Sequence, residues 1–444
     1  MPRARHCAAP GAPGDRAEAR DTGTGVRGIR AACESSDVTE VDEEVRARTL
    51  LAQLGAALVA AGQPVNEVED DLVEAGQALG FPDVQIAAAP TGITLSLAPG
   101  SPATFVGRPG SLRLHQAADV REIRHHLVRG RLSPADALDR LAALRAQPRG
   151  HVGWAVGLGW VLCATRIALI LQPTWPSVAI ATIGGIAVVA LVRATGSMPR
   201  FEALLPVAAA FVVACLVFAA ARGGLVEAPL RTLLAPLAVL FPGALIVTAM
   251  AELVSGHMVA GTSRLGYGLV QMLLFTLGIV GASRVVPLTP DQLGNIRIDH
   301  IGWYAAPAGL LLVTIAVGLL ESPKPRLLPW ILVVLAITFG AQVAGQRLGG
   351  AFGGAFFGAL AATVGSYAVE AIVPRLARLV VFLPSFWLLV PGSLGVLTAT
   401  QVAVDPGRSA DVLGVVGIVT AIALGLLLGT AIAQAVQGLR SRGR

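Results

Sequence analysis

Charged side chains are scarce in this chain. They make up 14% of its 444 residues, while 54% are hydrophobic; soluble globular proteins carry about 25% charge. The scarcity is uneven, because 19 of the 28 acidic residues lie before residue 149 and 9 lie after it. The first third therefore has the composition of a soluble domain and the rest that of a membrane protein. An ordinary soluble enzyme and an outer-membrane barrel are excluded. The four cysteines, Cys7, Cys33, Cys163 and Cys215, form no CxxC spacing, which excludes a zinc site and a disulfide framework. Lys324 is the only lysine among 34 basic residues, a bias that coding composition explains more simply than any arginine-specific role. The opening MPRARHCAAPGAPGDRAEAR has no apolar h-region and does not read as a secretory signal. There is no P-loop, GxGxxG, HExxH or nucleophile elbow. An ATP-driven pump is thus disfavoured, and no enzyme activity, catalytic residue, cofactor or metal is expected. The net charge of +6 does not point to nucleic acid, since the arginines sit in a tail and in short connections between apolar segments.

Residues 1–37 are rich in Ala, Gly and Arg and read as a disordered tail. Residues 38–62 read as a helix capped by Thr39 and stopped by Gly62. Residues 64–79 repeat Val65, Val68, Leu72 and Leu79 at helical spacing behind Pro64. The period then changes. VQIAAAP and TGITLSLA have strand composition, joined around Pro90, Thr91 and Gly92, and ATFVG adds a third strand. Residues 117–130 and 134–147 read as two more helices, so 38–148 form a small α+β domain.

From His151 onward ten apolar segments follow, at about 152–171, 175–192, 204–221, 230–251, 265–286, 301–320, 327–346, 350–372, 376–400 and 412–436. Each approaches the roughly 20 residues that a bilayer core demands, and lipid requires them to be helical. With the N-terminal domain inside, twelve Lys and Arg lie on inner connections and the C-terminus. Six lie outside: Arg222, Arg231, Arg284, Arg297, Arg347 and Arg408. The asymmetry places the N-terminal domain and the C-terminal tail, 437–444, in the cytoplasm.

An internal repeat runs through the apolar part. His151-Val152-Gly153-Trp154 recurs as His300-Ile301-Gly302-Trp303, and Pro242-Gly243 recurs as Pro391-Gly392, both at an offset of 149 residues. Five spans per half is an odd number, so the halves, 149–300 and 301–436, enter the membrane in opposite senses. The expected fold class is an all-α polytopic membrane protein, ten transmembrane helices in a 5+5 inverted repeat, carrying the small N-terminal α+β cytoplasmic domain. Such repeats bind solute near their interface on broken helices. Proline removes a backbone donor and glycine loosens the next turn, so the freed groups at Pro242, Gly243, Pro391 and Gly392 suit a zwitterion, although a simple kink is the plainer alternative. The same offset pairs Glu252 with Gln401, a titratable side with a fixed polar one.

Other polar residues have readings of their own. Arg166, deep in the first span, binds a substrate carboxylate, pairs with an acid or snorkels to the outer interface. His257 either takes part in proton coupling with Glu252 or is a loop histidine. Glu370 either pairs with Arg375 or Arg378 or serves transport. Gln342, Gln346, Gln401, Ser366, Tyr367 and Gln434 are ligands or helix-to-helix hydrogen bonds. His151 and His300 read as interfacial anchors, and GGAFGGAFFGALAA as close helix packing. The acidic run Glu67, Glu69, Asp70, Asp71 and Glu74 reads as a solvated face, with a cytoplasmic gate or cation contact as the alternatives.

LAQLGAALVAAGQPVNEVEDDLVEAGQALGF, PTGITLSL and FPGALIVTAMAELVSGHMVAGTSRL resemble the threonine/serine exporter family. The second half resembles a small membrane partner that is a separate chain in some relatives. Glu252 stands where many relatives carry aspartate, and the N-terminal tail has no counterpart. The resemblance implies a multi-pass exporter of L-threonine and L-serine in the cytoplasmic membrane, driven by the proton motive force. Its partners are then its small-molecule substrate and the lipid bilayer, not nucleic acid, and a homo-oligomer is compatible with it. Split relatives are linked to dicarboxylate export, which stays open as an alternative, as does a passive channel or scaffold whose soluble domain recruits partners.

Overall fold

The computed structural model describes residues 23–110, 112, 114–146, 153–196, 199–289, 299–321, 325–372, 378–389 and 412–442. The chain divides into two compact units, Met1–Ala47 and Arg48–Arg444. The described part of the first is the start of helix α1 (Gly23–Ala60), which begins earlier than its expected cap at Thr39.

In the second unit the later turns of α1 bury Leu50, Leu51, Leu54 and Leu58 completely, a single apolar face at helical spacing. α1 ends in a left-handed glycine, Gly62 (φ 83°). Gly62 N–H donates to the Val59 carbonyl, and Gln63 N–H to the Leu58 carbonyl. This reversal satisfies the last carbonyls of α1 and launches α2 (Val65–Ala78), whose Val65, Val68, Leu72 and Ala75 face inward. Three antiparallel strands follow, β1 (Gln85–Ala89), β2 (Gly92–Ser96) and β3 (Thr104–Gly107), in the order β1-β2-β3. Ala89 pairs with Gly92 across the turn at Pro90 and Thr91. In β2, Ile93 and Leu95 are buried while Thr94 between them is exposed, the alternation of a sheet with one covered face. Gly55 permits the closeness of the layers: a Cβ there would lie 2.6 Å from Leu72 and 3.0 Å from Ile93. Helices α3 (Leu114–Val128) and α4 (Pro134–Ala146) complete this α+β region.

Among the described residues six helical stretches are long and apolar enough to cross a membrane. They are α5 (Gly153–Leu171), α6 (Trp175–Thr195), α7 (Leu205–Arg222), α10 (Met258–Val285), Pro325–Ile372, which contains α12 (Leu328–Ile372), and Leu413–Val436 within α14 (Val412–Arg442). Two shorter apolar helices are α9 (Gly243–Val254) and Ala305–Leu320 within α11 (Ala305–Glu321). The expected fourth span, 230–251, is not one helix. It divides into α8 (Pro229–Leu237) and α9 around a turn at residues 238–242, because Pro236 and Pro242 lack the N–H groups that would continue the ladder. The expected seventh and eighth spans are the two arms of α12, separated where Gly349 and Gly350 leave helical geometry. Gly345 and Gly353 meet backbone to backbone, and a Cβ on Gly358 would lie 2.7 Å from Leu389, so the GGAFGGAFFGALAA run lies where helices approach closely. The expected ninth span begins as α13 (Arg378–Leu389), and its remainder lies outside the described residues.

Candidate functional site

Helices α9 and α10 form a tight hairpin. α9 ends in a second left-handed glycine, Gly256 (φ 86°), where Gly256 N–H donates to Leu253 O and His257 N–H to Glu252 O. The returning α10 keeps close contact through two glycines. A Cβ on Gly261 would lie 2.6 Å from Leu253, and one on Gly268 would lie 2.7 Å from Ile246. Arg264 stands on the same face between them. It points at Glu252, with Arg264 Nε 3.1 Å from Glu252 Oε2, as an ion pair in which Glu252 is fully buried and Arg264 nearly so.

The other carboxylate oxygen of Glu252 leaves the hairpin. Glu252 Oε1 accepts a 3.1 Å hydrogen bond from Val65 N–H, the first residue of α2. Pro64, at the cap position of α2, offers no side-chain cap. A helix begins with four unpaired N–H groups and the positive end of its dipole, so Glu252 supplies the cap acceptor that Pro64 cannot. A second carboxylate bridges the same elements. Glu69 Oε2 lies 3.1 Å from His257 Nε2, and Glu69 Oε1 accepts from Ala88 N–H at 2.8 Å. The acidic run of α2 is therefore not simply a solvated face. Asp71 and Glu74 pair with Arg124, Glu67 with Arg121, and Glu69 with His257. Burial pushes the Asp71 carboxyl above its usual range, against the opposing pull of Arg124 and of the Gln63 side chain, which donates to it at 2.7 Å.

Arg166 lies elsewhere. It is 2% exposed in α5 and lines a cavity of 610 Å³. Arg231 of α8 contributes a second cation, Asp299 before α11 an acid, and Gln342 and Gln346 of α12 two amides; Ala355, Leu389 and Ile418 close the apolar side. The walls thus come from both sides of the offset, α5 and α8 from one and α11 to α14 from the other. Ile246 and Val247 of α9 pack behind the cavity against Ala355, Leu389 and Phe386.

Among the described residues, the sequence-derived candidates therefore do not form one site. Pro242 and Gly243 open α9, with Gly243 buried, but neither lines the cavity. Glu252 and His257 sit at the α2 junction, apart from Arg166, and Glu252 pairs with Arg264. Pro391, Gly392 and Gln401 lie outside the described residues. Sequence reasoning missed Arg231 and Asp299 as cavity residues, because both stand at segment ends that read as connections. Asp299 Oδ1 accepts from Gly302 N–H at 2.8 Å, and the neighbouring His300 and Ile301 N–H groups donate to Pro173 O, so this connection is pinned to the end of α5. The HxGW repeat was the available signal for it.

A family model described as "Putative threonine/serine exporter" matches residues 49–286. The match begins within α1 and reaches the end of α10, so Val65, Glu69, Arg166, Arg231, Glu252, His257 and Arg264 all fall inside it. No curated protein and no solved structure matches the chain.

Proposed function

Because the chain belongs to the threonine/serine exporter family, we propose that it exports L-threonine and L-serine across the cytoplasmic membrane as a proton antiporter. In this reading residues 149–300 and 301–436 are the two five-span halves of an inverted repeat. Residues 38–148 and 437–444 lie in the cytoplasm, as does the tail 1–37. Support comes from the elements themselves: shifted by 149 residues, α5, α6, α7, α8 and α10 fall on α11, the two arms of α12, α13 and α14. Glu252 with His257 is the proton-coupling pair, and the breaks at Pro242–Gly243 and Pro391–Gly392 let their helices move.

The observation that carries the substrate reading is the cavity. It offers a buried guanidinium at Arg166, an acid at Asp299 and two amides at Gln342 and Gln346. A hydroxy amino acid presents a carboxylate, an ammonium and a hydroxyl, one group for each. Arginine suits the carboxylate because its planar fork matches both oxygens. The second cation, Arg231, favours one rival reading, a small dicarboxylate held between two arginines. Efflux of labelled threonine, serine and small dicarboxylates from preloaded proteoliposomes separates the two. Threonine and serine efflux above protein-free vesicles supports the proposal. Efflux of dicarboxylates alone transfers the site to the rival, and efflux of none rejects both.

A further inference from the structure

We propose that the N-terminal α+β domain is the inner gate of this transporter, latched through α2 by Val65 N–H on Glu252 and by Glu69 on His257, and opened by protonation of Glu252. The orientation of the gate rests on the exporter reading above; the latch itself rests on geometry. Both contacts join α2 to the α9–α10 hairpin, and each is made by a carboxylate. Among the described residues, Ala61, Ala117 and Ala118 of the α+β region share an apolar cluster with Leu310, Val313 and Leu388, to which alanine methyls contribute little area.

The charges around Glu252 give release a direction. On the α+β side the facing groups are the positive end of α2 and Arg108, with Glu69 as the anion; on the hairpin side they are Arg264 and His257. Glu252 is the anion placed between Arg264 and the α2 terminus. While Glu252 is ionised it joins the two sides. When a proton neutralises it, Arg264 and the α2 terminus lose the anion they share, and the domain is released from the hairpin. The Glu69–His257 pair parts with it and re-registers the domain on closing. This assigns the acidic helix a task that neither composition nor family membership specifies, with Glu69 and Arg264 as positioning residues.

Two measurements on the full-length reconstituted protein test this. In a chain with its four natural cysteines replaced by serine, Glu69→Cys and His257→Cys are bridged by a short thiol-specific cross-linker. The bridged protein is expected to lose efflux and to regain it when the bridge is reduced; undiminished efflux with the bridge in place overturns the gate. The second measurement is amide hydrogen exchange over residues 63–72, which needs no transport. Wild-type protection is expected to fall as pH is lowered, and Glu252→Gln is expected to exchange severalfold faster already at neutral pH. Equal protection in both at neutral pH overturns the latch. If the unbridged double variant does not transport, the exchange result decides. If wild type moves no solute, the exporter reading fails while the exchange experiment still reads the latch.

Discussion

The backbone N–H of Val65 and the side chain of Glu252 are joined by a 3.1 Å hydrogen bond across 187 residues of sequence. Glu252 is fully buried there, and its second oxygen faces Arg264. One carboxylate thus neutralises a buried arginine on its own hairpin and caps a helix of the α+β domain. Any change of its charge must be felt on both sides.

Removing one member of the buried pair should be worse than removing both. Arg264→Met leaves the Glu252 carboxylate without its counter-ion, a loss of about 3–5 kcal/mol when a buried pair is broken from one side. The double variant Glu252→Gln with Arg264→Met strands no charge and should recover most of that loss. Thermal unfolding in detergent checks the order. A double variant no more stable than Arg264→Met contradicts the pairing.

The closeness of α9 and α10 depends on Gly261. A Cβ there would lie 2.6 Å from Leu253 and 2.8 Å from the Ala249 carbonyl oxygen, while Gly266 on the same helix has nothing within 4 Å. Gly261→Leu should cost about 1–3 kcal/mol through overpacking, and it should part Arg264 from Glu252. Gly266→Ala should be neutral. Unfolding temperatures of the two variants give the comparison, and equal values refute the close approach.

Arg166 is expected to meet the substrate carboxylate. Arg166→Gln removes a charge-assisted hydrogen bond worth about 1.5–3 kcal/mol, which should raise KM for threonine by roughly tenfold to a hundredfold. Arg166→Lys keeps the charge and loses the fork, so it should fall between. An unchanged KM in Arg166→Gln places the carboxylate elsewhere, with Arg231 the remaining cation of the cavity.

Asp71 predicts a pH dependence confined to the α+β region. Burial raises its folded pKa above the unfolded value, so its contribution to stability is complete below the unfolded pKa and is lost as pH rises through the folded one. Asp71→Asn removes this trend. The wild-type Tm should therefore fall relative to that of Asp71→Asn as pH rises from acid to neutral. A wild type that gains on the variant over that range would show that Arg124, 2.9 Å away, outweighs burial.

Much of this was legible locally. The strands around Pro90 and Gly92, the helix behind Pro64 and the break at Pro242–Gly243 follow from proline, glycine and hydrophobic period, which act over a few residues. Glu252 stands out in the sequence because the repeat offset sets it against Gln401. What could not be read was the junction. That Glu252 reaches Val65 and Glu69 reaches His257 depends on how a folded domain seats on a hairpin, and no periodicity encodes contacts 187 and 188 residues apart. Arg231 and Asp299 were hidden for a related reason: the end of a span and a loop look alike in sequence until packing folds them over a cavity.

Gradient-driven transport tests the central claim most directly. Proteoliposomes with the protein in one orientation are given equal threonine on both sides and an imposed pH difference. Wild type should move threonine against its developing gradient, in the direction opposite to proton flow. Glu252→Gln should exchange labelled for unlabelled threonine yet build no gradient, because exchange needs the site whereas accumulation needs the titration. Wild-type vesicles that move neither threonine nor serine, with or without the pH difference, would contradict the account; accumulation by Glu252→Gln equal to wild type would remove Glu252 from the coupling.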